Sequence, residues 1–331
     1  MEYINFIEVL VELSLTSGET EFLKYLVHSA GRYPDFARLL HENPEVEANL
    51  IGVANRAFES RIPEPISSTE IAMSMIGFFP ARNYLAASIT RKSNRLTPWD
   101  PTLREILHFA LNGEEMGGEL GSRYFAAGLI YDFVLHALKK TIKKGIVISN
   151  PKFVLDIWNH GLQICAISRN LANRLFSPEM EKEICFHALL HDIGKLVHCF
   201  IDESLTLEQT DNGVRVVPNF PEQVWRENGK KMGVSHDLTG YLVLDQLGFV
   251  PDSSWITLYH HQPFLAARRG ETVHLYTTII WLADQLSKYR ELHRSARHSE
   301  KMLSGWYRIL QPFLDIPEEK FKLEISRIVV R

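Results

Sequence analysis

Apolar residues recur at intervals of three and four positions along most of this chain, and that spacing limits the folds it can adopt. The pattern is clearest in residues 22–40, 153–176 and 276–293. It places apolar side chains on one face of a helix. Alternating, strand-like runs are few, and the best of them, 213–220 after a DNG turn, fits either a short hairpin or a loop. The sequence therefore predicts an all-α protein.

Two segments interrupt the helical pattern. Residues 91–102 contain two prolines, and residues 139–153 combine a lysine patch with a glycine and an Asn-Pro pair. The chain has 331 residues, of which 45% are hydrophobic, and this length fits two domains or one extended domain. We predict a boundary near 145–150, with an N-terminal lobe over 1–145 and a second domain over 146–331.

Net charge and cysteine content limit the binding partners and the cellular compartment that the sequence predicts. A formal net charge of -4 argues against a protein held to a nucleic-acid duplex by bulk charge. No apolar run reaches the roughly 18 residues of a membrane span, and the acidic N-terminus lacks the basic residues of a signal peptide. Cys165, Cys185 and Cys199 form no CxxC pair, so we expect core thiols without a disulfide framework, and a cytoplasmic location.

The strongest motif is HDIGK, at residues 191–195, inside an apolar helical stretch. A charged Asp192 on a buried helix is costly unless something compensates it. A divalent cation would do so, and His191 offers an imidazole lone pair to the same ion. Lys195 follows His191 by one helical turn and would direct a positive charge at an anion above the metal.

Further candidate ligands lie at or near apolar helical runs: His160, His236, His260, His261 and Asp284. Any one of them alone is more simply a core or capping residue. Together with the His191-Asp192 pair they supply five imidazoles and two carboxylates. That exceeds the needs of one closed zinc site and suits two ions that share a carboxylate. Mixed imidazole and carboxylate ligands favour iron, manganese, zinc or nickel over calcium or magnesium.

The order of these ligands along the chain resembles that of the HD superfamily of metal-dependent phosphohydrolases. It is most similar to the branch that includes the HD-GYP cyclic-di-GMP phosphodiesterases, where HDIGK and a later His-His pair also occur. After His260-His261 this sequence reads HHQPFLAARRGETVHLY and lacks the DGxGYP segment. The resemblance therefore does not extend to cyclic-di-GMP as the substrate.

The first half carries a second resemblance, in residues 42–87. Its recurring elements are Asn43-Pro44, Ala54-Asn55-Arg56, Ile66-Ser67-Ser68 with Ile76-Gly77, and later Ile157-Trp158-Asn159-His160. This pattern resembles the HDOD module, a bacterial signalling relative of HD domains, over about residues 20–290. It implies a two-lobed helical protein, with an HDOD-like lobe over 1–145 and an HD-type metal-binding domain over 146–331.

The resemblance also implies a role for each candidate residue. One ion would be held by His160, His191, Asp192 and Asp284, and a second by His236, His260 and His261, with Asp192 as the bridge. Asp192 and Lys195 would be catalytic, since activated water attacks phosphorus in this chemistry and Lys195 would steady the phosphate. Arg268 and Arg269 are candidate phosphate clamps, with two solvated loop arginines as the alternative.

Three functions remain open from the sequence. The first is a phosphodiesterase or phosphomonoesterase that uses two divalent transition-metal ions on a nucleotide or another phosphorylated small molecule. The second is a non-catalytic signalling output or scaffold module, with a structural or ligand-sensing metal site and a signalling protein as its partner. The third, which Lys195 argues against, is a metal-dependent oxygenase.

Overall fold

The computed structural model describes residues 13, 38, 40–41, 44–58, 63–76, 81, 119–141, 152–201, 207–210, 213–216, 235–248, 251–292 and 296–329. Most of these residues are helical, so the predicted all-α fold class is confirmed. Among them, no helix has both the length and the apolar character needed to cross a membrane.

The α-helices are, in order, α1 Pro44–Phe58, α2 Thr69–Ile76, α3 Glu119–Thr141, α4 Lys152–Leu175, α5 Met180–Leu190, α6 Gly194–Ile201, α7 His236–Leu247, α8 Pro251–Tyr259, α9 Glu271–Leu292, α10 Ala296–Leu310 and α11 Glu318–Val329. Two short 3₁₀ helices cover Pro263–Arg269 and Gln311–Phe313. Strands β1 Leu207–Thr210 and β2 Gly213–Val216 pair antiparallel, with Leu207 opposite Val216. Residues 213–216 therefore form a strand, as in the hairpin alternative, whereas residues 211–212 and 217–220 lie outside the described residues.

The chain divides into two compact units, one comprising Met1–Leu13 with Ala137–Arg331 and the other Ser14–His136. Helix α3 runs to Thr141, and the two predicted joints lie mostly outside the described residues. The boundary near 145–150 stays a prediction.

In the unit Ser14–His136, the side chain of Asn55 connects the Ala-Asn-Arg segment to the Ile-Ser-Ser segment. Its side-chain amide donates to the carbonyl oxygen of Ile66 at 2.9 Å and accepts from the Ile66 backbone N–H at 2.6 Å. Ser68 then accepts a hydrogen bond from the backbone N–H of Ile71 at the start of α2, as a capping residue does. Ala54, Ile66 and Ala72 form the buried core between α1 and α2.

In the other unit, α4 packs along α5 and α9, and α6 and α8 both pack on α7. Helix α5 is buried at six of its eleven positions because its apolar residues surround it. Two predicted helices are confirmed here: the one over 153–176 corresponds to α4, which ends at Leu175, and the one over 276–293 to the part of α9 up to Leu292. The predicted helix over 22–40 lies mostly outside the described residues.

The cysteine prediction was wrong in one respect. Cys165 on α4 and Cys185 on α5 are joined by a disulfide, with their α-carbons 4.6 Å apart. Both residues are buried, as expected of core cysteines. Spacing along the sequence gives no sign of the pair because the close packing of two helices creates it.

Candidate metal centre

The predicted ligands come from five places in the unit that contains residues 137–331. They are His160 in the middle of α4, His191 and Asp192 in the turn after α5, His236 at the start of α7, His260 and His261 after α8, and Asp284 within α9. The structure brings the other six together around Asp192. Their roles as metal ligands stay predictions.

The turn between α5 and α6 positions the central pair. Backbone hydrogen bonds from Ile193 to Leu190 and from Lys195 to Asp192 each span three residues. This tighter winding joins the two helices without a loop. As a result, His191 and Asp192 are both buried at the junction.

Asp192 lies at the centre of the cluster, with four histidines around its carboxylate. Its Oδ2 is 3.5 Å from Nε2 of His160 and 3.2 Å from Nε2 of His191. Its Oδ1 is 3.4 Å from Nε2 of His236 and 3.6 Å from Nε2 of His260. The two oxygens therefore face two different pairs of imidazoles.

The remaining ligands extend the cluster on both sides of Asp192. Nε2 of His160 lies 3.4 Å from Oδ1 of Asp284, and Nε2 of His261 lies 3.1 Å from Nε2 of His236. In three overlapping sets the ligand atoms are all within 4.8 Å of one another: His236, His260 and His261; His160, His191 and Asp284; and His191, Asp192 and His260.

These spacings fit metal coordination. An ion bound at about 2.0–2.1 Å places neighbouring ligand atoms about 3.0–3.4 Å apart, which is close to the distances above. Oδ1 of Asp192 and Nε2 of His260 are also buried without a hydrogen bond to any described residue. Buried polar atoms rarely lack a partner, so a cation between them would satisfy both.

Backbone contacts fix the tautomers of two of the histidines. Nδ1 of His191 lies 2.6 Å from the carbonyl oxygen of Ala188, and Nδ1 of His260 lies 2.6 Å from that of Thr257. A carbonyl oxygen can only accept, so in each ring Nδ1 carries the hydrogen. When the ring is neutral, Nε2 keeps its lone pair for a metal.

The charges in the cluster suit a cation. Burial alone would raise the pKa of Asp192, but the charges of His191 and Lys195 outweigh it and hold this pKa well below its ordinary value. Burial lowers the pKa of His236. The charge of His260, together with burial, lowers the pKa of His261. The lowered pKa values favour an ionised Asp192 and neutral His236 and His261, and these are the protonation states that bind metal.

Two lysines accompany the two carboxylates. Nζ of Lys195 lies 2.5 Å from Oδ2 of Asp192, and Nζ of Lys288 lies 2.7 Å from Oδ2 of Asp284. Burial opposes ionisation of Asp284, but the hydrogen bond from His160 and the charge of Lys288 lower its pKa. Lys195 is 19% exposed and Lys288 is 46% exposed. Lys195 is thus the better shielded of the two.

Arg268 and Arg269 lie at the end of the 3₁₀ helix Pro263–Arg269 and are exposed. The guanidinium carbon of Arg269 lies 3.5 Å from the centroid of the Trp255 ring, a cation–π arrangement. The predicted phosphate contacts of both arginines stay predictions.

Residues 157–289 match the family model of the HD domain. The chain contains an HD domain. The resemblance inferred from the ligand order is therefore confirmed for this segment. All seven candidate ligands lie inside it.

The chain is also similar to a solved structure, that of an HDOD domain protein of unknown function from Geobacter sulfurreducens. The TM-score is 0.41 and the sequence identity is 17%, over 96% of this chain and 89% of that chain. No curated protein matches the sequence significantly.

Two glycines of the HD domain let its helices approach closely enough to form the cluster. A Cβ on Gly240 would lie 2.6 Å from Cγ2 of Thr257 and 3.1 Å from the backbone nitrogen of Gly194. A Cβ on Gly194 would overlap the backbone of α7. The glycine of the HDIGK motif therefore has a packing role that brings α7, and with it His236, against α6.

One charged residue of this HD domain site was not predicted from the sequence. Lys288 follows Asp284 by four residues on α9, a spacing that places both side chains on one helix face. Lys195 follows His191 by the same interval, so the signal that marked Lys195 could also have marked Lys288.

Proposed function

We propose that this HD domain is a metal-dependent phosphohydrolase that cleaves a phosphate ester, a nucleotide or another phosphorylated small molecule. The observation that carries the proposal is that the two oxygens of one carboxylate face different pairs of histidines. Oδ2 of Asp192 faces His160 and His191, whereas Oδ1 faces His236 and His260. A carboxylate in this position suits a ligand that bridges two ions.

The two sides of Asp192 supply the two sets of ligands that we assign to the ions. The first set is His160, His191 and Asp284, and the second is His236, His260 and His261. Their mixture of imidazoles and carboxylates favours iron, manganese, zinc or nickel. When bound, two such ions polarise a phosphate ester and activate water for attack on phosphorus at neutral pH.

Lys195 is the residue that we assign to the phosphate. Asp192 orients the ammonium group of Lys195 through the 2.5 Å contact, and part of the Lys195 side chain is open to solvent. A fixed positive charge beside the ligand cluster would hold a phosphoryl oxygen and stabilise the charge that grows there during cleavage. This role needs no proton transfer from Lys195.

The test combines metal analysis with a substrate panel. Purified protein loaded in turn with iron, manganese, zinc and nickel is assayed on p-nitrophenyl phosphate, bis(p-nitrophenyl) phosphate and a set of nucleotides. We expect turnover that Asp192→Ala abolishes. We expect Lys195→Gln to keep its metal and lose about 10²-fold in kcat, as for other single donors to a transition-state charge.

Lys288→Gln is the matched control, because it removes the same charge from the other carboxylate at a more exposed position. We expect its kcat to fall by less than about tenfold. If no loaded form turns over any substrate, the phosphohydrolase proposal fails. Equal losses for both lysine variants would remove the specific role of Lys195.

A second candidate function is a non-catalytic signalling or scaffold module that binds a signalling protein. One observation favours it: each carboxylate of the cluster already has an ammonium partner, Lys195 for Asp192 and Lys288 for Asp284. The charges of the site are thus partly compensated without an ion. Under this alternative no loaded form turns over any substrate of the panel, and Asp192→Ala changes only the stability of the protein.

A further inference from the structure

A cavity that none of the candidate ligands lines lies beside helices α4 and α11. Its volume is about 230 Å³, and its lining comes from residues 163–174 of α4 and residues 327–328 of α11. That volume is smaller than the roughly 300–1,000 Å³ of pockets for drug-sized ligands. The cavity therefore fits a smaller molecule.

The lining combines an apolar part with two cations and the amide side chains of Gln163 and Asn170. Ile167 and Ile328 are each only 4% exposed, and the methyl group of Ala166 adds to the apolar wall. Arg174 and Arg327 supply two guanidinium groups. A ligand that matches this lining has an anionic head and a short apolar tail.

Glu324 binds both guanidiniums, but its single negative charge cannot neutralise two positive charges. It accepts from Nη1 of Arg174 at 2.8 Å and from Nη1 of Arg327 at 2.5 Å. Among the residues that the structure describes, two positive charges against one negative charge leave a net positive charge at the cavity. Each guanidinium has five N–H donors, so donors remain for an anion, and the contacts with Glu324 preorganise them.

We propose that this cavity binds a small amphipathic anion, either a carboxylate or a phosphate monoester, with its head on Arg174 and Arg327 and its tail on Ile167 and Ile328. The proposal is independent of the phosphohydrolase assignment, since no member of the ligand cluster lines the cavity. A planar guanidinium pairs with either type of head group through two parallel hydrogen bonds.

The experiment measures binding of hexanoate, hexyl phosphate and hexanol to the full chain by isothermal titration calorimetry and by ligand-observed NMR. We expect at least one of the two anions to bind with a dissociation constant of about 1 mM or below. Hexanol has the same tail without the charge and should bind at least about tenfold more weakly. The stronger of the two anions identifies the preferred head group.

Two variants of the lining test the location. Arg327 is half exposed, and Glu324 keeps Arg174 when Arg327 is removed, so Arg327→Ala should fold normally and weaken anion binding at least about tenfold. Ala166→Phe should block the cavity and abolish binding. Arg308→Ala, which removes the same charge from an exposed position on α10, is the control and should bind like the parent.

The proposal is overturned if neither anion shows saturable binding up to about 10 mM. It is also overturned if binding survives both Arg327→Ala and Ala166→Phe in protein whose helical circular dichroism and unfolding midpoint match those of the parent. Equal binding of hexanol and the two anions would likewise reject it.

Discussion

The α-carbon of Gly194 lies so close to the backbone of His236 that no side chain fits between them. A Cβ on Gly194 would overlap the carbonyl oxygen of His236 and lie 2.5 Å from the backbone nitrogen of Gly240. His236 in turn lies 3.4 Å from Asp192. The distance between α6 and α7 therefore sets the distance between two candidate metal ligands.

We predict that Gly194→Ala destabilises the protein and weakens metal binding. Backbone atoms cannot move aside as a flexible side chain does, so overpacking should cost about 1–3 kcal/mol. Urea unfolding gives the free energy, and a metal titration gives the affinity.

Gly305→Ala on α10 is the control for this substitution. A Cβ there meets nothing within 4 Å, so alanine should stabilise the helix by about 0.5–1 kcal/mol and leave metal binding unchanged. Equal effects of the two substitutions would show that the contact between Gly194 and His236 is not what holds the site.

Much of the fold and of the cluster could be predicted from the sequence. Helical periodicity predicted α4 and most of α9, because each helix buries one apolar face. A buried Asp192 beside His191 predicted a divalent cation, because an isolated buried carboxylate is costly. That cation stays a prediction; in the structure Lys195 and several imidazoles lie against the carboxylate.

Contacts between helices could not be predicted in the same way. The disulfide between Cys165 and Cys185 and the close approach of Gly194 to Gly240 depend on how two separate helices pack. A single sequence indicates which face of each helix is buried, but it does not indicate which residues of two helices contact each other.

We predict that the two carboxylates of the cluster differ in how many ions they control. Asp192→Asn should lose both ions because this carboxylate contacts histidines of both sets, whereas Asp284→Asn should lose one. Metal content per chain, measured by inductively coupled plasma mass spectrometry after loading, distinguishes the two. Asp245→Asn, an exposed position on α7, is the control and should keep both ions.

Asparagine is used because it keeps the volume of aspartate and removes only the charge. Circular dichroism of each variant shows whether the helices are retained. If Asp192→Asn keeps a full complement of ions, the carboxylate is not a bridge, and the two-ion assignment is wrong.

We predict that stability falls with acidification partly through His198. Burial and the charge of His236 lower the pKa of His198 to about 4, against an ordinary value of about 6.5. Between those values the unfolded chain binds a proton that the folded protein excludes. Stability is therefore lost as the pH falls from about 6.5 to 4, by up to about 3 kcal/mol.

The variant His198→Gln isolates this contribution. Glutamine cannot titrate, and its amide can still donate to the hydroxyl of Thr239, as Nε2 of His198 does at 3.0 Å. Urea unfolding of metal-free protein between pH 4 and pH 8 should show a shallower slope for the variant below pH 6.5. Parallel stability curves for variant and parent would contradict the prediction.

We predict that the disulfide between Cys165 and Cys185 stabilises the protein by about 3 kcal/mol. It closes a loop of 20 residues between α4 and α5, and a cross-link of that length removes this much conformational entropy from the unfolded chain. The double variant Cys165→Ala/Cys185→Ala should unfold at a lower urea concentration, and a reductant should lower the midpoint of the parent but not that of the variant.

Alkylation of the denatured parent without reductant should label one cysteine of three. Labelling of all three would show that the two thiols are not joined, and the stability difference would then reflect packing alone.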